Sequence, residues 1–307
     1  MGERLKDKVA VVTGAGRGIG RGIALLMAEE GAKVVVNDFG GGADGTGGDK
    51  LPADEVVDEI KARGGEAAAN YESVASAEGG DNIIKTALDS FGRLDIAVCN
   101  AGILRDRMVF NTTDEEWDAV LQVHLYGTFY CTRAACRVFR NQKSGRIVTF
   151  SSESGLGSLG QANYSAAKEG IIGLTRTVAR DMGKYGVTCN SIRPRAGTRL
   201  TLTEELRIAM ERKRDAGVGG AGESLGLGDL LPEDVAPLVV FLALDEAANI
   251  NGHDFMVGGG LIGLFSIPEV VDELHKEGMW DIEEIQTLAP PFITSKLTNP
   301  SPTVSKQ

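Results

Sequence analysis

Histidine is scarce in this chain. Only His124, His253 and His275 occur in 307 residues, and no two stand at a spacing that presents paired imidazoles to one zinc ion, so no metal site is expected. Cysteine is nearly as rare. Cys99, Cys131, Cys136 and Cys189 form no C-x-x-C pair, which points away from metal ligation and disulfides and towards buried free thiols in a reducing compartment, taken to be the cytoplasm. Long apolar runs are missing too: no stretch approaches the roughly 18 residues of a membrane span. The opening MGERLKDKVAVVTG passes from a short apolar run straight into glycines and does not follow a signal-peptide plan. Basic charge is in deficit. With 32 Lys and Arg against 43 Asp and Glu, the net charge is −11, which argues against nucleic acid or an anionic membrane as partner. A phosphate-bearing small molecule in a local basic pocket remains compatible with it.

The composition that is present, 42% hydrophobic and 24% charged, belongs to a globular protein. Lys8–Thr13 (KVAVVT) is a β-branched run of the kind that forms a buried parallel strand. Gly14, Gly16, Gly18 and Gly20 follow in TGAGRGIG, then the helical pattern GRGIALLMAEEG, a second strand over Lys33–Asn37, and Asp38 at its end. Strand, glycine turn, helix, strand and acidic residue together make a dinucleotide-binding unit, with the pyrophosphate expected at the helix N-terminus. A polar glycine-rich loop, residues 39–50, is expected to be mobile unless something covers it. Further strands are expected over Glu66–Tyr71, Asp95–Cys99, Arg146–Ser151, Val187–Arg193 and Asp254–Val257. Helices are expected over Leu51–Arg63, Asp81–Phe91, from a capping box at Thr113–Glu116 towards Phe139, from about Asn163 to Lys184, over Thr203–Arg214, and from Pro232 onward.

This alternation predicts an α/β fold: a Rossmann-like three-layer sandwich with a doubly wound, parallel, seven-stranded sheet. One domain should cover residues 5–263. Residues 264–307 should form a C-terminal extension, partly disordered, with short helices at Pro268–Lys276 and Trp280–Thr287. Ligands of such sheets bind at the carboxyl ends of the strands. That edge collects the glycine turn, Asp38, Asn100, the pair Ser151 and Ser152, and the segment after Arg193.

Tyr164 and Lys168 stand four residues apart on the helix that follows the serine pair, and so share a face. An ammonium beside a phenol favours the phenolate and brings the tyrosine nearer to use as a general acid or base. Alone, the spacing is a weak signal that more often marks a surface pair of a long helix. Between Arg193 and Arg214 the chain also carries Arg193, Arg195, Arg199, Arg207, Arg212, Lys213 and Arg214 against Glu204, Glu205 and Glu211. That excess suits the phosphates of coenzyme A or, equally, a solvated helix face. Residues 215–231 read as a lid or as plain loop.

TGAGRGIG, the Cys99-Asn100-Ala101-Gly102 turn, the serine and Tyr164-x-x-x-Lys168 occur in the order of the short-chain dehydrogenase/reductase family, which residues 5–263 resemble. VVVNDFGG, NAGILRDR, VHLYGTF and GQANYSAAK are further similar to one group in it, the (R)-3-hydroxyacyl-CoA dehydrogenase part of multifunctional enzyme type 2 and its bacterial relatives. The resemblance implies an NAD-dependent enzyme in which Tyr164 is the acid/base, Lys168 lowers its pKa and holds the nicotinamide ribose, and a serine orients the substrate oxygen. Counting along the strand puts Ser152 at the family position, whereas counting back from Tyr164 puts Ser151 there. Ser152 is preferred, since a deletion is easier in a glycine loop than in a strand.

By the same resemblance, Gly14, Arg17, Gly18, Ile19 and Gly20 hold the pyrophosphate side, Asp38 the adenine ribose, and Ser73 and Val74 the adenine. Asn100, Ala101 and Gly102 lie by the nicotinamide-side ribose, and Pro194, Ala196, Gly197 and Thr198 by the carboxamide. Asn100 could also be only a turn residue. Asp38 favours NAD, and Arg17 is a counter-signal towards NADP. His124 stands where the family commonly has asparagine and is expected to pack or bind water, with a relay role as the alternative. The implied reaction is oxidation of a 3-hydroxyacyl-CoA, of fatty or steroid side-chain type, by a homodimer or homotetramer. The alternatives are a dehydrogenase of free alcohols, steroids or ketones, and a non-catalytic NAD-binding protein.

Overall fold

Valine, isoleucine and alanine runs build the centre of the fold. In a computed structural model that describes residues 2–197, 230–298 and 300, the strands are Val9–Thr13 (β1), Lys33–Asn37 (β2), Ala67–Asn70 (β3), Ile96–Cys99 (β4), Gly145–Phe150 (β5), Val187–Pro194 (β6), Asp254–Gly258 (β7) and Leu261–Leu264 (β8). They form one sheet in the order β3-β2-β1-β4-β5-β6-β7-β8. All neighbours pair parallel except β7 and β8. The expected seven-stranded, wholly parallel sheet is therefore corrected to eight strands among the described residues. The cause is the two-residue loop Gly259-Gly260. Both glycines have positive φ, 58° and 80°, the backbone that a tight hairpin needs, and a four-residue LIGL run is too short to announce a strand.

Side chains alternate across the sheet with period two. Val12, Val34, Val36, Val98 and Val148 face one layer, which contains helices Gly18–Glu29 (α1) and Leu51–Ala62 (α2). Val9, Val11, Val35, Ala97 and Ile147 face the other, which contains Ala77–Phe91 (α3). On that second face helix Asp114–Leu121 (α4), opened by the Thr113/Glu116 capping box, runs on through a wider π turn at Gln122–Tyr126 into Gly127–Gln142 (α5). Ala162–Gly183 (α6) lies on the same side, and Ala236–Ala243 (α7) joins α1 on the first. Three layers result. The order reverses between β1 and β4, so their carboxyl ends diverge into a crevice.

The glycine-rich loop is pinned, contrary to the expected mobility. Leu104 donates its N–H to the Ala43 carbonyl at 3.0 Å, and Arg105 Nε donates to the Asp44 carbonyl at 2.9 Å. Carbonyls of the loop thus find donors on residues 104 and 105, which nothing within the loop's own sequence announces.

By compactness the chain forms two units, Met1–Phe265 and Ser266–Gln307. In the second, Ile282–Ala289 (α8) starts from an Asp281/Glu284 capping box and answers the helix expected near Trp280–Thr287. The helix expected at Pro268–Lys276 does not form. Val270 and Val271 are exposed there, so no buried face offsets helix nucleation. The expected helix Thr203–Arg214 and the lid segment up to residue 229 lie outside the described residues. No described helix is long and apolar enough to cross a membrane.

Phe139 of α5 is fully buried against the sheet. Phe139→Ala should lower the unfolding free energy by about 3–5 kcal/mol, measured by chemical denaturation; a loss near zero would mean that this layer does not hold the fold together.

Candidate active site

β1 delivers Thr13 and Gly14 to the carboxyl edge of the sheet. Gly14 has φ of +64°, and a Cβ on it would lie 2.8 Å from the Ala101 Cα. Only glycine permits the β1 and β4 ends to approach this closely. Thr13 Oγ1 accepts the Asn100 and Ala101 N–H groups at 3.0 and 3.2 Å. The Asn100 amide donates to the Thr13 and Gly14 carbonyls at 3.0 and 3.1 Å. Of the two roles open to Asn100, its NH2 group is committed to the turn. α1 begins without a side-chain cap, leaving its first N–H groups for an anion. Asp38 is held beside the turn that precedes them: its carboxylate accepts Gly16 N–H at 2.8 Å and Gly40 N–H at 2.7 Å.

A cavity of about 490 Å³ opens at this point, lined by Gly14, Arg17, Gly18, Ile19, Asp38, Ser73, Val74, Asn100, Ala101 and Gly102. Its size is within the range of small-molecule sites. Gly20 is buried beneath the turn, and Pro194, Ala196 and Gly197, at and just after the end of β6, are not among the residues that line the cavity. Thr198 lies outside the described residues. The pinned loop adds Phe39, Gly41, Gly42 and Gly45 to the lining, and Arg105 adds a cation. Sequence reasoning missed these, although the loop's start directly after Asp38 was a usable clue.

β5 delivers the serines. Ser151 is buried and its Oγ donates to the Lys168 carbonyl at 2.8 Å. Ser152 begins the short turn Glu153–Leu156, its Oγ accepting Ser154 N–H at 3.1 Å. Lys168 Nζ donates to the Phe150 carbonyl at 2.6 Å and lies 5.4 Å from the Tyr164 ring centroid. Asn163, which pattern reading also missed, accepts Tyr164 N–H at 2.7 Å and donates to the Arg105 and Glu116 carbonyls, both at 3.1 Å. It anchors the first turn of α6.

His124 stands in the π turn, its ring edge-on to Tyr164 at 5.1 Å. Its Nε2 meets the Ile103 main chain, the carbonyl at 2.7 Å and the N–H at 3.0 Å. Burial, reinforced by the Lys168 charge, holds its pKa well below 6.5, so the ring is neutral near pH 7. Of the basic excess, Arg193 is buried and Arg195 pairs with Glu153, so both are engaged internally. The remaining five basic residues of that stretch lie outside the described residues.

Burial pushes the Tyr164 phenol up to about 12, with the Ser152 hydroxyl drawing it back. Desolvation therefore dominates, contrary to the simple expectation of a depressed phenol. Burial also lowers Lys168 from 10.5 to about 7. Between these two values the unfolded chain carries a proton that the folded protein lacks, so stability rises with pH from about 7 to 10.5 and this contribution is lost as pH falls through 7. Relative to Lys168→Met, the wild-type protein should gain stability across that window in denaturation curves. Parallel pH profiles would contradict a buried, depressed lysine.

The sequence profile described as enoyl-(acyl carrier protein) reductase matches residues 14–262. The chain is 47% identical over 264 residues to peroxisomal multifunctional enzyme type 2 of Mus musculus, covering 85% of this chain but only 33% of that protein. It is 43% identical over 298 residues to the hydroxyacyl-CoA dehydrogenase ChsB1 of Mycobacterium tuberculosis, covering 92% and 87% of the two chains. A crystal structure of a short chain dehydrogenase from Mycobacterium avium superposes with a TM-score of 0.81 at 42% identity, covering 99% of this chain and all of that one. With the glycine turn, the serine strand and the Tyr164/Lys168 helix on one sheet edge, these likenesses identify the chain as an oxidoreductase of the short-chain dehydrogenase/reductase family, a family that binds a nicotinamide cofactor.

Proposed function

We propose that the protein is an NAD-dependent dehydrogenase that interconverts a 3-hydroxyacyl-CoA and the 3-oxoacyl-CoA. The observation that carries this reading is the gathering of Ser152, Tyr164 and Lys168 at one strand edge in a chain 43% identical to a relative named hydroxyacyl-CoA dehydrogenase over nearly its whole length.

The residues fit the cofactor. The close-approach glycines and the uncapped α1 would cradle its pyrophosphate, Asp38 the adenine ribose hydroxyls, Ser73 and Val74 the adenine, and the segment 196–198 the carboxamide. A carboxylate at Asp38 would repel a 2′-phosphate, which favours NAD over NADP; Arg17 on the same wall is the opposing charge. When bound, NAD supplies the hydride acceptor. Ser152 Oγ–H would donate to the substrate oxygen and orient the carbon that is oxidised. Tyr164 Oη would take the hydroxyl proton. A phenol near 12 is a strong base once ionised, and a protonated Lys168 beside it favours the ionised form. His124, neutral and held on Ile103, would fix the wall beside Tyr164 and have no part in proton transfer.

A thioester of coenzyme A is the proposed partner, and a homodimer or homotetramer the proposed assembly, with Tyr126 and Phe129 exposed along the helix beside the site. The four cysteines are free thiols, which supports placing the protein in the cytoplasm.

Purified protein mixed with NAD and a panel of (R)-3-hydroxyacyl-CoAs should produce NADH, faster than with NADP. Tyr164→Phe should lower kcat by roughly 10²–10⁴ while NAD still binds. Oxidation of free secondary alcohols or steroids without any thioester turnover would overturn the substrate assignment. An undiminished kcat in Tyr164→Phe would remove Tyr164 as the acid/base, and NAD binding without turnover of any of these substrates would make the chain a non-catalytic NAD binder.

A further inference from the structure

We propose that Arg193 and Arg195 are positioning residues that clamp the Ser152 turn to the end of β6. The proposal deepens the reading of Ser152 as the group that orients the substrate oxygen, and it rests on that reading.

The turn has little of its own to hold it. Glu153–Leu156 is one short 3-10 turn with no buried residue, and Leu156 is exposed. Hydrophobic packing therefore does not set where Ser152 points. Two guanidinium groups do.

Arg193 is only 2% exposed, and a buried arginine is tolerated only where its donors find partners. Its Nε donates to Asp254 Oδ2 at 2.5 Å and its Nη2 to Glu169 Oε2 at 3.0 Å, which anchors the group to β7 and α6. The remaining edge, Nη1, donates to the Ser152 carbonyl at 2.8 Å. That carbonyl also accepts Gly155 N–H at 3.0 Å, so both of its lone pairs are filled. The flat face of Arg193 lies 4.7 Å from the Phe265 ring centroid, which holds the fork in plane.

Arg195 grips the next residue. Its Nε and Nη2 reach the two Glu153 carboxylate oxygens at 2.6 and 2.7 Å, the bidentate geometry that fixes orientation as well as distance. Its own N–H is tied to the Val257 carbonyl at 2.8 Å. The Ser152 carbonyl and the Glu153 carboxylate are thereby both referred to one strand end, and that same strand end continues into Ala196 and Gly197. Substrate oxygen and cofactor carboxamide would be aligned from a common support. Misplacing a catalytic group by about 1 Å costs on the order of 10²-fold in rate, so the clamp should act on kcat.

The test uses the half-exposed pair, which can be altered without burying a charge. Arg195→Glu and Glu153→Arg should each lower kcat about tenfold or more, with the KM for substrate and the melting temperature little changed. The charge-swapped double variant should recover most of the loss. In a Ser152→Ala background the same substitutions should lower kcat no further, because the residue they position is gone. Arg193→Lys, which keeps the charge but loses the fork, should behave like the single variants. Hydrogen exchange across residues 152–157 in each protein reports the turn independently of turnover: faster in the single variants, restored in the swap. Unchanged exchange, or an equal further loss of kcat in the Ser152→Ala background, would overturn the clamp. An inactive wild-type protein with the expected exchange pattern would instead overturn the proposed dehydrogenase function and leave the clamp standing.

Discussion

A reciprocal pair of hydrogen bonds between β5 and α6 governs the active edge. Lys168 Nζ donates to the Phe150 carbonyl at 2.6 Å, and Ser151 Oγ donates to the Lys168 carbonyl at 2.8 Å. A buried ammonium is costly unless a polar partner meets it, and here the last carbonyl of a strand does so. The lacing fixes the helix against the strand at the point where Ser152 leaves one and Tyr164 faces out from the other. It also separates two adjacent hydroxyls. Ser151 is consumed in structure, and Ser152, one residue on, is the one left at the rim. The parallel register of β4, β5 and β6 sets the height at which all of this happens.

The cofactor side obeys a different constraint, close backbone approach. Gly14 lies against Ala101 because neither glycine φ nor space would admit a side chain, and Thr13 and Asn100 stitch the two strand ends with side-chain and main-chain bonds. Asp38, held by N–H groups of both the turn and the pinned loop, presents its carboxylate into the cavity as a fixed charge. The two halves of the site meet at Gly102–Ile103, whose main chain is held by His124, the residue whose ring abuts Tyr164.

Much of this was legible in the sequence, for reasons that can be named. Buried parallel strands read as β-branched runs, so β1, β2, β4, β5 and β6 fall within a residue or two of their expected bounds. The glycines of TGAGRGIG and the acidic Asp38 are dictated by local backbone geometry, which a sequence carries openly. β8 was missed because its pairing depends on the hairpin at Gly259-Gly260 and not on any pattern within LIGL. The order in the glycine loop was missed because its carbonyls are bonded by the Leu104 main chain and the Arg105 side chain, far away in sequence. Arg193, Asn163 and Asp254 were unreadable as supports because their roles exist only through partners on other elements. Tertiary electrostatics were equally hidden: that burial dominates the Tyr164 phenol depends on packing alone.

The central claim is that the strand edge sorts two neighbouring serines into a structural and a functional one. Steady-state kinetics of Ser151→Ala and Ser152→Ala, with NAD affinity measured alongside, tests it most directly. The account predicts that Ser152→Ala loses roughly 10²-fold or more in kcat with NAD binding intact, while Ser151→Ala keeps turnover and loses about 1 kcal/mol of stability with its hydrogen bond. A large loss of turnover in Ser151→Ala, with Ser152→Ala close to wild type, would contradict it.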